Sequence, residues 1–174
     1  MSFFVVDVES DGPAPGLYSM ISFGAVKVDF DLKTTFYGQT KPISEKWIPE
    51  ALAVSKIDRN THLQYEDPKI AMEKFAQWVV QNSRDKPVFI SDNLGFDWSF
   101  MNYYFHAYVG DNPFGFSGRR INDFYSGIVK DLYASSKWKK FRKTKHTHNP
   151  VDDAVGNAEA FIHICKTNGI KIPF

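Results

Sequence analysis

The apolar run Phe3-Phe4-Val5-Val6 leads straight into Asp7-Val8-Glu9, and this junction limits the possible folds more than any other feature of the chain. An unbroken apolar run ending in acids reads as a buried strand over residues 3–8. Side chains alternate along a strand, so Asp7 and Glu9 share a face and project side by side from its end. Residues 20–30 (MISFGAVKVDF) and 34–40 (TTFYGQT) are rich in β-branched and aromatic residues and predict two more strands, with a hairpin turn over 29–33. A short helix is expected over 49–57. Asp67 is a good N-cap and Pro68 suits a first helical position, so a longer helix opens there. A short buried strand over 87–91 follows, then helices over 96–109, 122–133 and 151–168, the last closed by Gly169. This order predicts an α/β fold: a mixed sheet, three antiparallel strands followed by parallel strands, with helices on both faces.

The chain of 174 residues suits one domain spanning 1–174. Its 43% hydrophobic and 24% charged residues are those of an ordinary soluble protein. A net charge of +1 does not announce a nucleic-acid binder, but the charge is unevenly spread. The stretch Lys137-Trp138-Lys139-Lys140-Phe141-Arg142-Lys143-Thr144-Lys145-His146 is strongly basic and lies in the longest segment without apolar periodicity, 135–149. That segment reads as a polar, mobile loop. The single cysteine, Cys165, excludes an internal disulfide, reads as buried packing and fits a reducing compartment. No secretory signal and no membrane span are expected, which makes the cytoplasm the expected location.

Chemistry concentrates in three places. Asp7-Val8-Glu9 offers paired carboxylates, although a solvated strand end would look the same. In Asn93-Leu94-Gly95-Phe96-Asp97, the aspartate sits near a helix start, where the helix dipole alone would favour it. Asp92 competes with Asp97 for a ligand role. In His148-Asn149-Pro150-Val151-Asp152-Asp153, capping accounts for Asn149, Pro150 and Asp152. It gives no reason for a histidine five residues before Asp153.

Together the three segments resemble the DEDD superfamily of 3′→5′ exonucleases in its histidine-containing branch, whose members include ribonuclease T, oligoribonuclease, ribonuclease AS and polymerase proofreading domains. The family's D-x-E, N-x-x-F-D and H-x-x-x-x-D motifs match residues 7–9, 93–97 and 148–153, in the family's order. Where many relatives have a Thr-Gly-Leu type turn after the first motif, this chain has the longer, proline-rich Ser10-Asp11-Gly12-Pro13-Ala14-Pro15-Gly16-Leu17.

The resemblance implies a ribonuclease H-like sheet and two divalent metal ions, Mg²⁺ or Mn²⁺, held by Asp7, Glu9, Asp97 and Asp153. It also implies that His148 is the general base, with His146 as its competitor. The expected reaction is phosphodiester hydrolysis from the 3′ end of single-stranded RNA or DNA, releasing nucleoside 5′-monophosphates. Ser10 and Tyr18 are candidates for the terminal sugar, and Trp98 for the 3′-terminal base. Lys139, Lys140 and Arg142 are candidates for upstream phosphates, with Trp138 or Phe141 stacking on a base. Several family members are dimers, so a homodimer is also expected. A nucleic-acid-binding module without catalysis and a small-molecule phosphoesterase on the same fold are the alternatives.

Overall fold

The computed structural model describes residues 1–172. Its five-stranded sheet has the order β3-β2-β1-β4-β5. The strands are β1 (Ser2–Ser10), β2 (Met20–Lys27), β3 (Thr35–Gln39), β4 (Pro87–Ser91) and β5 (Gly118–Arg120). β1, β2 and β3 pair antiparallel, whereas β4 runs parallel to β1 and β5 parallel to β4. The expected mixed sheet is therefore present. β5 went unforeseen because its three residues, Gly118-Arg119-Arg120, carry no apolar pattern.

Six helices accompany the sheet: α1 (Pro49–Val54), α2 (Arg59–Leu63), α3 (Pro68–Gln81), α4 (Leu94–Tyr108), α5 (Ile121–Val129) and α6 (Pro150–Thr167). Asp67 caps α3 by accepting the Lys69 N–H, and Asn149 caps α6 by accepting those of Val151 and Asp152. Gly169, at φ 65°, follows the last turn of α6. The alternation of β1 serves two cores. Phe4, Val6 and Val8 join Phe75, Phe100 and Tyr104 under α3 and α4. Val5 faces the other way, among Ile121, Trp138, Ala154 and Phe161 under α5 and α6. Asp7 and Glu9, in step with Val5, therefore emerge on the α6 side. No described helix is long and apolar enough to cross a membrane.

The segment 135–149 departs from the expected mobile loop. Residues 137–141 form a 3₁₀ turn, and Trp138 is fully buried, its Nε1–H donating to Asn122 Oδ1 at 2.5 Å. The Arg142 guanidinium lies 5.1 Å from the Trp138 ring and bonds Asn157 of α6. Glu159 of α6 accepts the backbone N–H groups of Lys143 and Thr144, each at 2.8 Å. The polar composition hid these tethers because a single Trp, not a periodic stripe, supplies the anchor.

Candidate active site

Three elements converge at the carboxyl end of β1. Gly24 of β2 lies opposite Asp7, and a Cβ there would stand 2.3 Å from the Pro150 carbonyl carbon. Only glycine lets the first turn of α6 rest directly on the sheet, which carries Asp153 to Asp7 and Glu9. One carboxylate oxygen from each of these three residues lies within 4.8 Å of the others. From the opposite face comes Asp97. β4 ends at Ser91, leaving the far end of β1 without a partner on that edge. Asp97, in the first turn of α4, fills the gap by accepting the Val8 N–H at 3.2 Å.

His148 is turned into the site by an unusual backbone. Its φ is 61°, in the left-handed region that costs a non-glycine residue roughly 1–2 kcal/mol. Asp153 offsets that strain by accepting the Thr147 N–H at 3.1 Å and the His148 N–H at 3.0 Å. The His148 Nδ1 then faces Glu9 Oε1 across 3.6 Å. His146, expected to belong to the basic loop, instead has its Nδ1 2.8 Å from Asp153 Oδ1. The His146 and His148 rings meet edge to face with centroids 4.3 Å apart.

Electrostatically the site is short of positive charge. Burial, then the neighbouring Asp97, Glu9 and Asp153, hold the Asp7 carboxyl well above its ordinary range, opposed only in part by the Arg142 guanidinium. Burial and Asp153 push Glu9 up to about 7. Asp97 rises to about 8, chiefly through burial. A carboxyl with a higher pKa folded than unfolded binds its proton more tightly in the native state. Its stabilisation is full below the unfolded pKa of about 4 and is lost as pH rises through the folded value. The protein in EDTA is therefore expected to melt at a lower temperature at about pH 8.5 than at about pH 6, and a divalent metal should remove the difference. Equal melting temperatures in EDTA would show that the acids do not strain the fold.

The donor set is all hard oxygen, crowded and undercompensated, and it fits divalent cations such as Mg²⁺ or Mn²⁺. Across 97% of its length the chain is 40% identical to the 3′-5′ DNA exonuclease Cap18 of Escherichia coli, covering 94% of that protein. The chain belongs to the DEDDh family of 3′→5′ exonucleases. No family model matches it. The fold agrees: the nuclease domain of 3′hExo, a DEDDh family member bound to rAMP, superposes with a TM-score of 0.75 at 13% identity over 99% of this chain and 96% of that one. E. coli Exonuclease I in complex with a dT13 oligonucleotide superposes at 0.71 with 14% identity, over 96% of this chain and 41% of that one.

Several candidate substrate contacts of the exonuclease make contacts within the protein. Trp138 cannot stack on a base, because it is wholly enclosed. Arg142 is committed to Trp138, Asn157 and Asp92, the last at 3.5 Å. Asp92, the rival of Asp97, is itself engaged by Lys139 at 2.6 Å and so ties the basic segment to the end of β4. Phe141 is stacked on His163 with centroids 4.3 Å apart. Trp98 packs edge-on against Phe89 at 5.2 Å. Ser10 is buried and its hydroxyl donates to the Gly12 carbonyl at 2.6 Å. Tyr18 lies flat on Gly12, where a Cβ would stand 2.3 Å from its ring. Lys140 is exposed at the surface.

Sequence reasoning missed a buried network that holds the wall beside the first motif. Asp11, fully buried, accepts the Ser19 N–H at 2.6 Å and an Arg59 N–H at 2.7 Å. Arg59 also donates to the Ser44 carbonyl at 2.8 Å, and its Nη1 lies 3.3 Å from the buried His62. The proline-rich turn is thereby fastened to the segment between β3 and α3. Only Asp58, a good N-cap ahead of α2, signalled this in sequence.

Proposed function

We propose that the exonuclease removes nucleoside 5′-monophosphates from the 3′ end of single-stranded DNA, with Asp7, Glu9, Asp97 and Asp153 holding two Mg²⁺ or Mn²⁺ ions and His148 as general base. The observation that carries this reading is the convergence of Asp7, Glu9 and Asp153, with ligand atoms within 4.8 Å of one another, beneath a histidine 3.6 Å from Glu9. Two such ions supply a lowered pKa for the attacking water and charge neutralisation on both sides of the phosphorus. Asp7, Glu9 and Asp153 would hold the ions from one face of β1, with Asp97 contributing from the other. His148 would take the proton of the water, the general-base role that histidine most often fills. Asp153 does double duty, since the two N–H groups it accepts hold the strained turn that aims His148. DNA is favoured over RNA because the 40%-identical relative is named for DNA.

A time course on matched 5′-labelled single-stranded DNA and RNA oligonucleotides, with Mg²⁺, Mn²⁺ or EDTA, tests this. The expected result is a metal-dependent ladder shortening from the 3′ end, faster on DNA. Cleavage of mononucleotide esters with intact oligonucleotides would replace it with a small-molecule phosphoesterase. A preference for RNA would overturn the substrate but not the chemistry.

A further inference from the structure

The family's third motif uses His148 and Asp153 and leaves His146 unexplained. In the fold, His146 reaches past the left-handed His148 residue to bring Nδ1 to 2.8 Å from Asp153 Oδ1. Ligand atoms of His146, His148 and Asp153 all lie within 4.8 Å of one another. Two imidazoles and one carboxylate form a different donor set from the all-oxygen cluster below them. Mg²⁺ prefers oxygen and water, whereas imidazole nitrogen selects borderline ions such as Zn²⁺. Ligand atoms bonded at about 2.0–2.1 Å around a tetrahedral zinc ion stand roughly 3.3 Å apart. His146 Nδ1 and Asp153 Oδ1, 2.8 Å apart, need only part slightly to accept an ion between them. Glu9 lies beside the trio, its Oε1 3.6 Å from His148 Nδ1.

We propose that His146, His148 and Asp153 form an inhibitory zinc site. Zinc bound there takes both the general base and a carboxylate of the catalytic cluster, so cleavage stops while the fold stays intact. This rests on the proposed roles of His148 and Asp153. What it adds is that His146 confers sensitivity to zinc that the oxygen cluster alone would not have in this form.

The test compares wild-type protein with His146→Ala. His146 is half-exposed, so the variant is expected to fold, and circular dichroism checks that it does. Zinc binding is measured by titration calorimetry, and cleavage is read in each protein as the ratio of rates with and without zinc at fixed Mn²⁺. Loss of one imidazole ligand is expected to weaken zinc binding by about 10–100-fold or more and to shift the inhibitory zinc concentration upward by the same factor. Equal zinc affinity and equal inhibition in the two proteins would overturn the site and put zinc in the oxygen cluster. If neither protein cleaves, the catalytic reading has failed. The calorimetry still decides the ligand set, with weaker binding by the variant supporting it and unchanged binding refuting it.

Discussion

Asp7→Asn is expected to reduce cleavage by at least about 10²–10³-fold, the loss typical when one preorganised charge-stabilising group leaves a hydrolytic site. The same substitution should make the metal-free protein more stable. Asp7 sits among Glu9, Asp97 and Asp153, and burial and these neighbours hold its carboxyl well above the ordinary range. Asparagine keeps the shape and removes the charge. In EDTA the variant should melt at a higher temperature than the wild type once the pH is raised past the values of Glu9, about 7, and Asp97, about 8. Added Mn²⁺ should stabilise the wild type far more than the variant. A variant that is both inactive and less stable without metal would mean that Asp7 serves mainly the fold. One that cleaves normally would remove it from the metal site.

His148→Ala is expected to slow cleavage by roughly 10²–10⁴-fold, the usual range for a lost general base. Two readouts separate the loss of a base from damage to the site. His148 has φ 61°, which alanine adopts only with strain and glycine adopts freely. His148→Gly should therefore be as slow as the alanine variant while keeping the turn that directs the backbone N–H groups of residues 147 and 148 to Asp153. Stabilisation by Mn²⁺ should survive in both, since no ligand of the oxygen cluster is removed. A near-normal rate in the glycine variant would transfer the role to His146, whose ring is in contact with that of His148.

Where the sequence misled, the cause was nearly always a contact between distant segments. Trp138, Phe141 and Arg142 looked like surface groups for nucleic acid because their neighbours are lysines. Their engagement depends on Asn122, His163, Asn157 and Asp92, which lie far from them in sequence. The choice between Asp92 and Asp97 was open for the same reason. Lys139 and Arg142 engage the first, and the second answers an unpartnered N–H of β1. α2 and β5 escaped because five and three residues are too few for a periodic pattern.

The sequence by itself determined the order of the longer strands and helices, the N-caps at Asp67 and Asn149, the pair of acids at the end of β1, and the family motifs. All of these are local: periodicity, capping chemistry and short spacings need no knowledge of what lies opposite. Only the tertiary structure decided that Gly24 admits α6 onto the sheet beside Asp7, and that Asp97 reaches the same strand from its other face. It also decided that the left-handed turn at His148 delivers two histidines, not one, to Asp153. Each of these depends on close packing or on a backbone group left without a partner, and such needs exist only once the elements are assembled.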